Sequence, residues 1–595
     1  MSISLPRALG LALTSLALVA CGGKKELPSD PLAYVPADTP YVLVNPKGTP
    51  KAVIDAWMGI YGTSLSDLYA ELPNDPSLQQ IPGELGTWMR AILPEVANFV
   101  NVEGFARLGL KAEARYVIYG HGVLPVYRFE LEDATKLGEM VKRIEGRAGK
   151  AIATRQIDEH TLWSVGDDKA TVLFGAIGPY FVATLLPTSA DEARVRTQLG
   201  LTLPERALAD TDTLAQLDRS HGFDGHLSGY IDVAGLARRF TGRDAADRAV
   251  IEAFGGELPE VSAACSADLD RITAQFPRVA MGTRAFDAKS MDFSMIVELE
   301  SAIAKAWQAL AAPIPGEAMT SASMFDVALS ANVPKAVSLL GTMADAVIAQ
   351  PYQCEDLADL NTSMGELKAS LAQPTLAMAG SVTAARVGLM DLALDKDTMT
   401  PSRIAAYVAV ASPTPMMLWG LAQQSVPQLA QVTLTQDNQV VTLPDGTFPT
   451  PMPMSVKLVA TNGSLGVSAG EVGDADLQGA AALPAEADGT VLAYGASGRF
   501  FTLLAEVLPD PAKLAAEAAA DEELEAAAEE DSEYAAGTED EGTSADEAAA
   551  QAFAAKQMEN SRAMFRAFGE RLDRMEVAVR VTDKGVEIRQ KGQLK

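Results

Sequence analysis

The residues able to do chemistry are few and scattered. Gly466-Val467-Ser468-Ala469-Gly470 has the G-x-S-x-G spacing that lifts a serine nucleophile onto a sharp strand-to-helix turn. That chemistry needs a histidine base further along the chain, and the four histidines, His121, His160, His221 and His226, all precede Ser468. Glu471-Val472-Gly473-Asp474 does not open a convincing helix either, so Ser468 is read as a strand residue without a catalytic role. His221 and His226 bracket Asp224, and a metal site would use all three. Gly222 and Gly225 instead make the segment a turn before a strand at Tyr230, with no further ligands clustered near it. Asp474-Ala475-Asp476 begins as a calcium loop does, but Ala485 stands at the twelfth place, where an acidic ligand should close the shell. No phosphate-binding glycine loop or dinucleotide fingerprint occurs in a strand-to-helix context. Acidic pairs are abundant, so a hydrolase with an acidic site remains an alternative, though no pair is singled out. No cofactor and no metal are expected.

Three cysteines remain. Cys21 follows Leu18-Val19-Ala20, and before it lies an apolar run from Ala8 broken only by Thr14 and Ser15, with Arg7 as the one early cation. That run is shorter than the roughly 20 apolar residues a membrane-spanning helix needs. The segment resembles the lipobox signal of bacterial lipoproteins: Leu at −3, a small or branched residue at −2, Ala at −1, then Cys. The resemblance implies that residues 1–20 are a signal peptide, that the Cys21 thiol receives a diacylglycerol, and that its new amine is acylated. Two or three chains on one residue give durable anchoring where a single chain holds only marginally. Gly22, rather than Asp, after the cysteine implies the outer membrane. Residues 21–30 read as a flexible tether. The alternative is an ordinary cleaved signal with a chance cysteine.

Cys265 and Cys354 are an even number in an exported chain, and neither has a histidine or another cysteine close by in sequence. A structural disulfide is expected, with two buried free thiols as the alternative. The 595 residues exceed one ordinary domain. A hydrophobic fraction of 48% with only 6% aromatics predicts cores built from Ala, Val and Leu. The net charge of −30 argues against nucleic acid and phosphate-rich partners.

One pattern recurs along the chain: a short β-rich run, a break, then helical periodicity. It appears at 39–59, 114–144, 226–254, 323–349, 403–430 and 489–508. The third and fourth copies continue alike, through Cys265 and Cys354, through Pro277-Arg-Val-Ala-Met281 and Pro374-Thr-Leu-Ala-Met378, into alternating strands at 286–299 and 384–394. This predicts an internal duplication. Hairpins are expected at 456–468 around Asn462-Gly463, at 431–443 around Asp437-Asn438, and at 575–588 around Asp583-Lys584-Gly585. The fold class is therefore α+β, as two related domains with antiparallel sheets and packed helices, at 31–312 and 318–595, divided at Pro313-Ile-Pro315-Gly316. Residues 443–453 read as an extended strand connection, with a mobile flap as the alternative.

Fourteen Asp and Glu, and no Lys or Arg, lie between Lys513 and Lys556. This acidic low-complexity insertion, about 514–555, is expected to be helical from Leu514 to Glu530 and disordered after it. A second helix near 546–575 would pack Ser561, Phe565, Phe568 and Leu572 onto the body. Pro36-Ala37-Asp38-Thr39 resembles the strand entry of the large envelope lipoproteins of Gram-negative bacteria, which implies no activity. The expected function is a non-catalytic, lipid-anchored periplasmic scaffold or binding module of the outer membrane. It would contact the membrane through its lipid, with an envelope protein as partner and neither nucleic acid nor a defined small-molecule ligand. A carrier or sensor of an apolar ligand is the alternative.

Overall fold

Four stretches of the chain share one connectivity: a strand, a helical excursion, then an antiparallel hairpin whose first strand returns beside the opening one. The structure, a computed structural model, describes residues 27–508 and 543–595 except 80, 82, 101, 259, 374–379, 396–397, 399 and 449–453. Cys21, the signal segment, Pro374 to Met378, part of the 443–453 connection and most of the acidic insertion lie outside the described residues.

The first unit is β1 (Tyr41–Asn45), helices α1 (Lys51–Glu71) and α2 (Gly83–Val96), then β2 (Tyr116–His121) and β3 (Leu124–Glu130). Helix α3 (Thr135–Ala148) and a meander follow: β4 (Ala153–Ile157), β5 (His160–Gly166), β6 (Ala170–Ile177) and β7 (Tyr180–Pro187). The second unit is β8 (Ser228–Asp232), α4 (Val233–Phe240), α5 (Ala245–Ala253), α6 (Ala263–Thr273), β9 (Arg278–Phe286) and β10 (Ser290–Glu298). The third is β11 (Phe325–Ser330), α7 (Val333–Ala349), α8 (Ala358–Leu371), β12 (Ala384–Leu394) and β13 (Pro401–Ala411). Then come α9 (Pro415–Ser425), β14 (Val441–Thr442), β15 (Val456–Ala460), β16 (Ser464–Gly470) and α10 (Asp474–Ala481). The fourth is β17 (Thr490–Ser497), α11 (Gly498–Val507), α12 (Thr543–Arg571), β18 (Leu572–Thr582) and β19 (Gly585–Leu594).

All strand pairings are antiparallel, in the order β4-β5-β6-β7-β3-β2-β1-β8-β9-β10-β19-β18-β17-β11-β12-β13-β16-β15-β14. The mixed helix-and-sheet class expected from the sequence is thus present, with the sheet antiparallel. It runs without interruption across the Pro313–Gly316 break, because the last strand returns to pair along the whole of β10. The hairpins at Asn462-Gly463 and at Asp583 to Gly585 form where expected. The 431–443 hairpin does not: Asn438 turns with φ of 62°, but the incoming arm is a 3-10 turn followed by irregular chain, and only Val441–Thr442 is strand. Val426, Leu429, Val432 and Leu434 pack around Trp419 instead, so burying this apolar cluster outweighs extending the arm.

Neighbouring strands alternate in direction, so β1 and β17 run the same way, as do β8 and β11. Their helical excursions therefore leave from shared strand ends. At one end α1 meets α12, and Trp57, Ile60, Phe501, Phe568 and Leu572 form a common core. Phe565 and Phe568 face it as expected, although the helix ends at Arg571 and Leu572 already opens β18. At the other end the second and third units are joined by a disulfide between Cys265 on α6 and Cys354. The largest core lies on one face of the first half, around Val44, Val117, Tyr119, Val126, Tyr180 and Val182.

Candidate functional site

The residues singled out for catalysis or metal binding do not converge. Ser468 is buried on β16 beside Tyr407, and its hydroxyl has no hydrogen-bond partner among the described residues. His221 is buried, with Nε2 2.7 Å from Glu298 Oε1, and that carboxylate also accepts two hydrogen bonds from Arg278. Burial acts to raise the Glu298 carboxyl, but His221 and Arg278 outweigh it and hold it below the usual carboxylate range. Asp224 spends its Oδ1 on the backbone N–H of His226 and on the Thr283 hydroxyl, as a turn residue does. Asp474 pairs with Lys457 at 2.7 Å. Among the described residues the one group whose ligating atoms lie together is Cys265, Cys354 and Asp356, and both sulfurs are taken by the disulfide.

That disulfide is the centre of a latch. The Asp268 carboxylate accepts from the backbone N–H groups of Gln353 (2.6 Å) and Cys354 (2.9 Å). Arg271 donates to the Gln350 carbonyl at 2.8 Å and lies 4.3 Å over the Tyr352 ring. All of these contacts hold the tip of the α7–α8 hairpin to α6. Helix α7, VPKAVSLLGTMADAVIA, has the composition of a core helix, yet Ala344 is its one buried residue, and Leu340, Met343 and Ile348 are exposed. An amphipathic surface helix would turn such residues inward.

The sheet shows the same inversion on a larger scale. One row of directly opposed residues crosses sixteen strands: Trp163, Phe174, Ala183, Tyr127, Ile118, Leu43, Gly229, Met281, Met295, Ile588, Val579, Leu492, Leu329, Ala385, Val410 and Leu465. No polar side chain interrupts it. At about 4.8 Å per strand the row is about 70 Å along the sheet. It is accessible at several points: Leu329 is 56% exposed, Tyr127 41% and Ile588 37%. Beside it runs a second apolar row, Tyr494, Val327, Val387, Val408 and Val467, with Val387 at 51%. An antiparallel sheet with one wet face ordinarily puts polar residues on that face.

The charges sit on the opposite side of the same strands, as the two-residue period requires. Asp326 is buried between Arg386 and Arg574, accepting from both. Burial pushes its carboxyl up, against the pull of the two guanidiniums. They border a cavity of about 230 Å³, also lined by Glu576, Arg580, Arg589 and Lys591. A Cβ on Gly495 would lie 2.0 Å from Arg574 Nη2 and 2.7 Å from Asp326 Oδ2, so only glycine leaves room for this cluster. Across the β10–β19 seam, Glu587 accepts from Arg284 and from the Ser294 hydroxyl, and Arg589 bonds to Asp292 at 2.5 Å. These carboxylates are engaged with arginines, which suits a structural role better than proton transfer.

The first described residues are strapped to the body. The Tyr34 hydroxyl donates to the Pro28 carbonyl at 2.8 Å, and Ser29 O accepts from Tyr180 at 2.6 Å and from Arg115 at 2.9 Å. Leu27 packs on the main core beside Gly178. Beneath them Arg128, fully buried on β3, stacks 3.8 Å from the Tyr34 ring and donates to the Leu199 carbonyl. Glu130 is bonded by Arg115 and Lys111; burial acts to raise its carboxyl, but these hydrogen bonds outweigh it and bring it down to about 2. Residues 27–34 are therefore part of the folded body, so Leu27 to Asp30 of the stretch expected to be a tether pack against it.

Comparison with protein-family models, with curated proteins and with solved structures finds no match. No helix among the described residues is long and apolar enough to cross a membrane.

Proposed function

We propose that this protein is a lipid-anchored, non-catalytic binding module of the bacterial envelope. It would be held at the periplasmic side of the outer membrane through acylated Cys21 and would act through the apolar face of its sheet. The observation that carries this reading is the apolar row from Trp163 to Leu465, unbroken by any polar side chain and open at Tyr127, Ile588 and Leu329, although its Trp163–Phe174–Ala183 end packs in a core under α2 and α3; the charged groups lie on the other face. A soluble protein seldom leaves so much apolar surface open unless something binds there. The recurring strand–helix–hairpin connectivity supports an internal duplication of halves near 31–312 and 318–595, which would double the length of such a surface.

The anchor is tested by growing cells with radiolabelled palmitate. The parent should take up label and fractionate with membranes, and Cys21→Ala should do neither. Label in the Cys21→Ala protein, or none in the parent, refutes the anchor. The surface is tested with Val387→Asp and Val408→Asp, which sit at exposed positions: they should lose the crosslinked partner of the parent while unfolding at the same temperature.

A further inference from the structure

We propose that Cys265, Cys354 and Asp356 form a redox-gated zinc site. Oxidised, the two sulfurs hold the α7–α8 hairpin to α6 through their own bond; reduced, they hold it through a Zn²⁺ ion. Among the described residues this is the one set of three His, Cys, Asp or Glu side chains whose ligating atoms come together, all within 4.8 Å of one another. Two sulfurs and a carboxylate oxygen suit a borderline ion such as Zn²⁺, whereas Ca²⁺ and Mg²⁺ take shells of oxygen alone. Three protein ligands leave the fourth position of a tetrahedral ion to water.

The elements that carry the ligands suit an ion that can enter and leave. Cys265 lies in the first turn of α6, capped by the Ser262 hydroxyl, where the helix dipole favours an anionic sulfur. Cys354 is buried, and its backbone N–H is held by the Asp268 carboxylate, so its place does not depend on the disulfide alone. Asp356 stands two residues further along the same turn, exposed, and its carboxylate has no hydrogen bond or ion pair among the described residues. Zn–S bonds of about 2.3 Å at the tetrahedral angle set two sulfurs about 3.8 Å apart, so the hairpin must draw back slightly from α6. It is free to do so: Ala344 is the one buried residue of α7, and α8 has none.

The exchange balances with a dithiol as reductant. The dithiol gives two electrons and two protons to the Cys265–Cys354 bond, becomes a disulfide itself and leaves two thiols. Zn²⁺ then displaces both thiol protons and binds the two thiolates and the Asp356 carboxylate. A disulfide oxidant reverses the step: it takes two electrons from the thiolates and two protons from water, the S–S bond re-forms and the ion leaves.

The test uses the full chain, reduced with a phosphine, freed of reductant without air and titrated with Co²⁺ as a spectroscopic stand-in for Zn²⁺. The net charge of −30 gathers divalent ions loosely on oxygen, but only thiolate ligation gives a sulfur-to-cobalt charge-transfer band. The reduced parent should develop that band to saturation at a single equivalent and lose it when Zn²⁺ is added. The oxidised parent and Cys265→Ser/Cys354→Ser should show no band. Asp356→Asn, an exposed change that keeps both cysteines, should weaken Zn²⁺ binding at least about tenfold, the smallest cost of disturbing even an outer partner of a ligand. Amide hydrogen exchange is the second readout. Reduction should speed exchange in α7 and α8, and Zn²⁺ should slow it again in the reduced parent but not in Cys265→Ser/Cys354→Ser, with β18 and β19 protected throughout. A reduced parent without the band, a band in the oxidised parent or after loss of both cysteines, or unchanged affinity in Asp356→Asn overturns the site. Bound Zn²⁺ that leaves α7 and α8 exchanging as fast as in the metal-free reduced chain overturns its role as a latch.

Discussion

Breaking the Cys265–Cys354 bond should free the α7–α8 hairpin before it affects the sheet. The cysteines are 89 residues apart. Closing a loop of that length removes chain entropy from the unfolded state equivalent to about 4.6 kcal/mol at 25 °C in the simplest model, with typical measured values of about 2–4 kcal/mol. The remaining ties at the tip are the two backbone hydrogen bonds to Asp268 and the Arg271 contacts with Gln350 and Tyr352. Each of these hydrogen bonds has a charged partner and contributes about 1.5–3 kcal/mol net, so the tip keeps a part of its hold but loses its one covalent tie. With Ala344 its one buried residue, α7 has little packing of its own to resist opening. In Cys265→Ala/Cys354→Ala, amide hydrogen exchange should therefore speed up across α7, α8 and the 350–357 connection, while β10, β18 and β19 keep the parent's protection. Adding Asp268→Asn should speed it further. Unchanged exchange in α7 and α8 would refute the reasoning, because the hairpin would then be held by something other than this latch.

Other consequences follow from named contacts. Trp57→Ala removes a buried indole that packs on Gly592 and donates to the Asp287 carbonyl at 2.8 Å; chemical denaturation should show a loss of about 3–5 kcal/mol. Arg574→Met leaves Asp326 buried with one partner fewer and should cost about 3–5 kcal/mol, whereas Arg499→Met, at an exposed pair with Asp391, should cost less than about 1 kcal/mol. Glu130 titrates at about 2 in the folded chain against an ordinary 4.5. Its contribution is therefore present above pH 4.5 and is lost as pH falls towards 2; Glu130→Gln should flatten that limb of the stability profile.

Much of the local structure was legible because it depends on neighbours in sequence. Asn462-Gly463 marks its hairpin, although neither residue takes a positive φ and the Thr461 hydroxyl closes the turn by accepting from the Gly463 and Ser464 N–H groups; the alternation at 384–394 gives β12 to the residue. The cysteine pair was legible from its even number and the expected export, and Cys265 and Cys354 are joined. The meander β4 to β7 carries a usable signal in the apolar run Tyr180–Pro187 after the Gly178 turn, which has φ of 56°, but its edge strand β4 is short and polar. What lay beyond reach is the non-local pairing. That β19 returns to β10 cannot be seen in either strand, and it is this pairing that makes one sheet of two sequence halves. The apolar row was hidden for the same reason. Leu329, Ile588 and Tyr127 each look like ordinary strand residues, and only the register between strands sets them in line. Arg128 reads as a surface cation in an alternating strand, and its burial under Tyr34 depends on a segment almost a hundred residues away.

The most direct test of the account places the photo-crosslinking amino acid p-benzoylphenylalanine at Val387, at Ile588 and at Gln439 of the full chain, and irradiates intact envelopes. The apolar face, used as a binding surface, predicts discrete adducts at Val387 and Ile588 and none at Gln439. Equal yields at all three positions, or none at Val387 and Ile588, would contradict it.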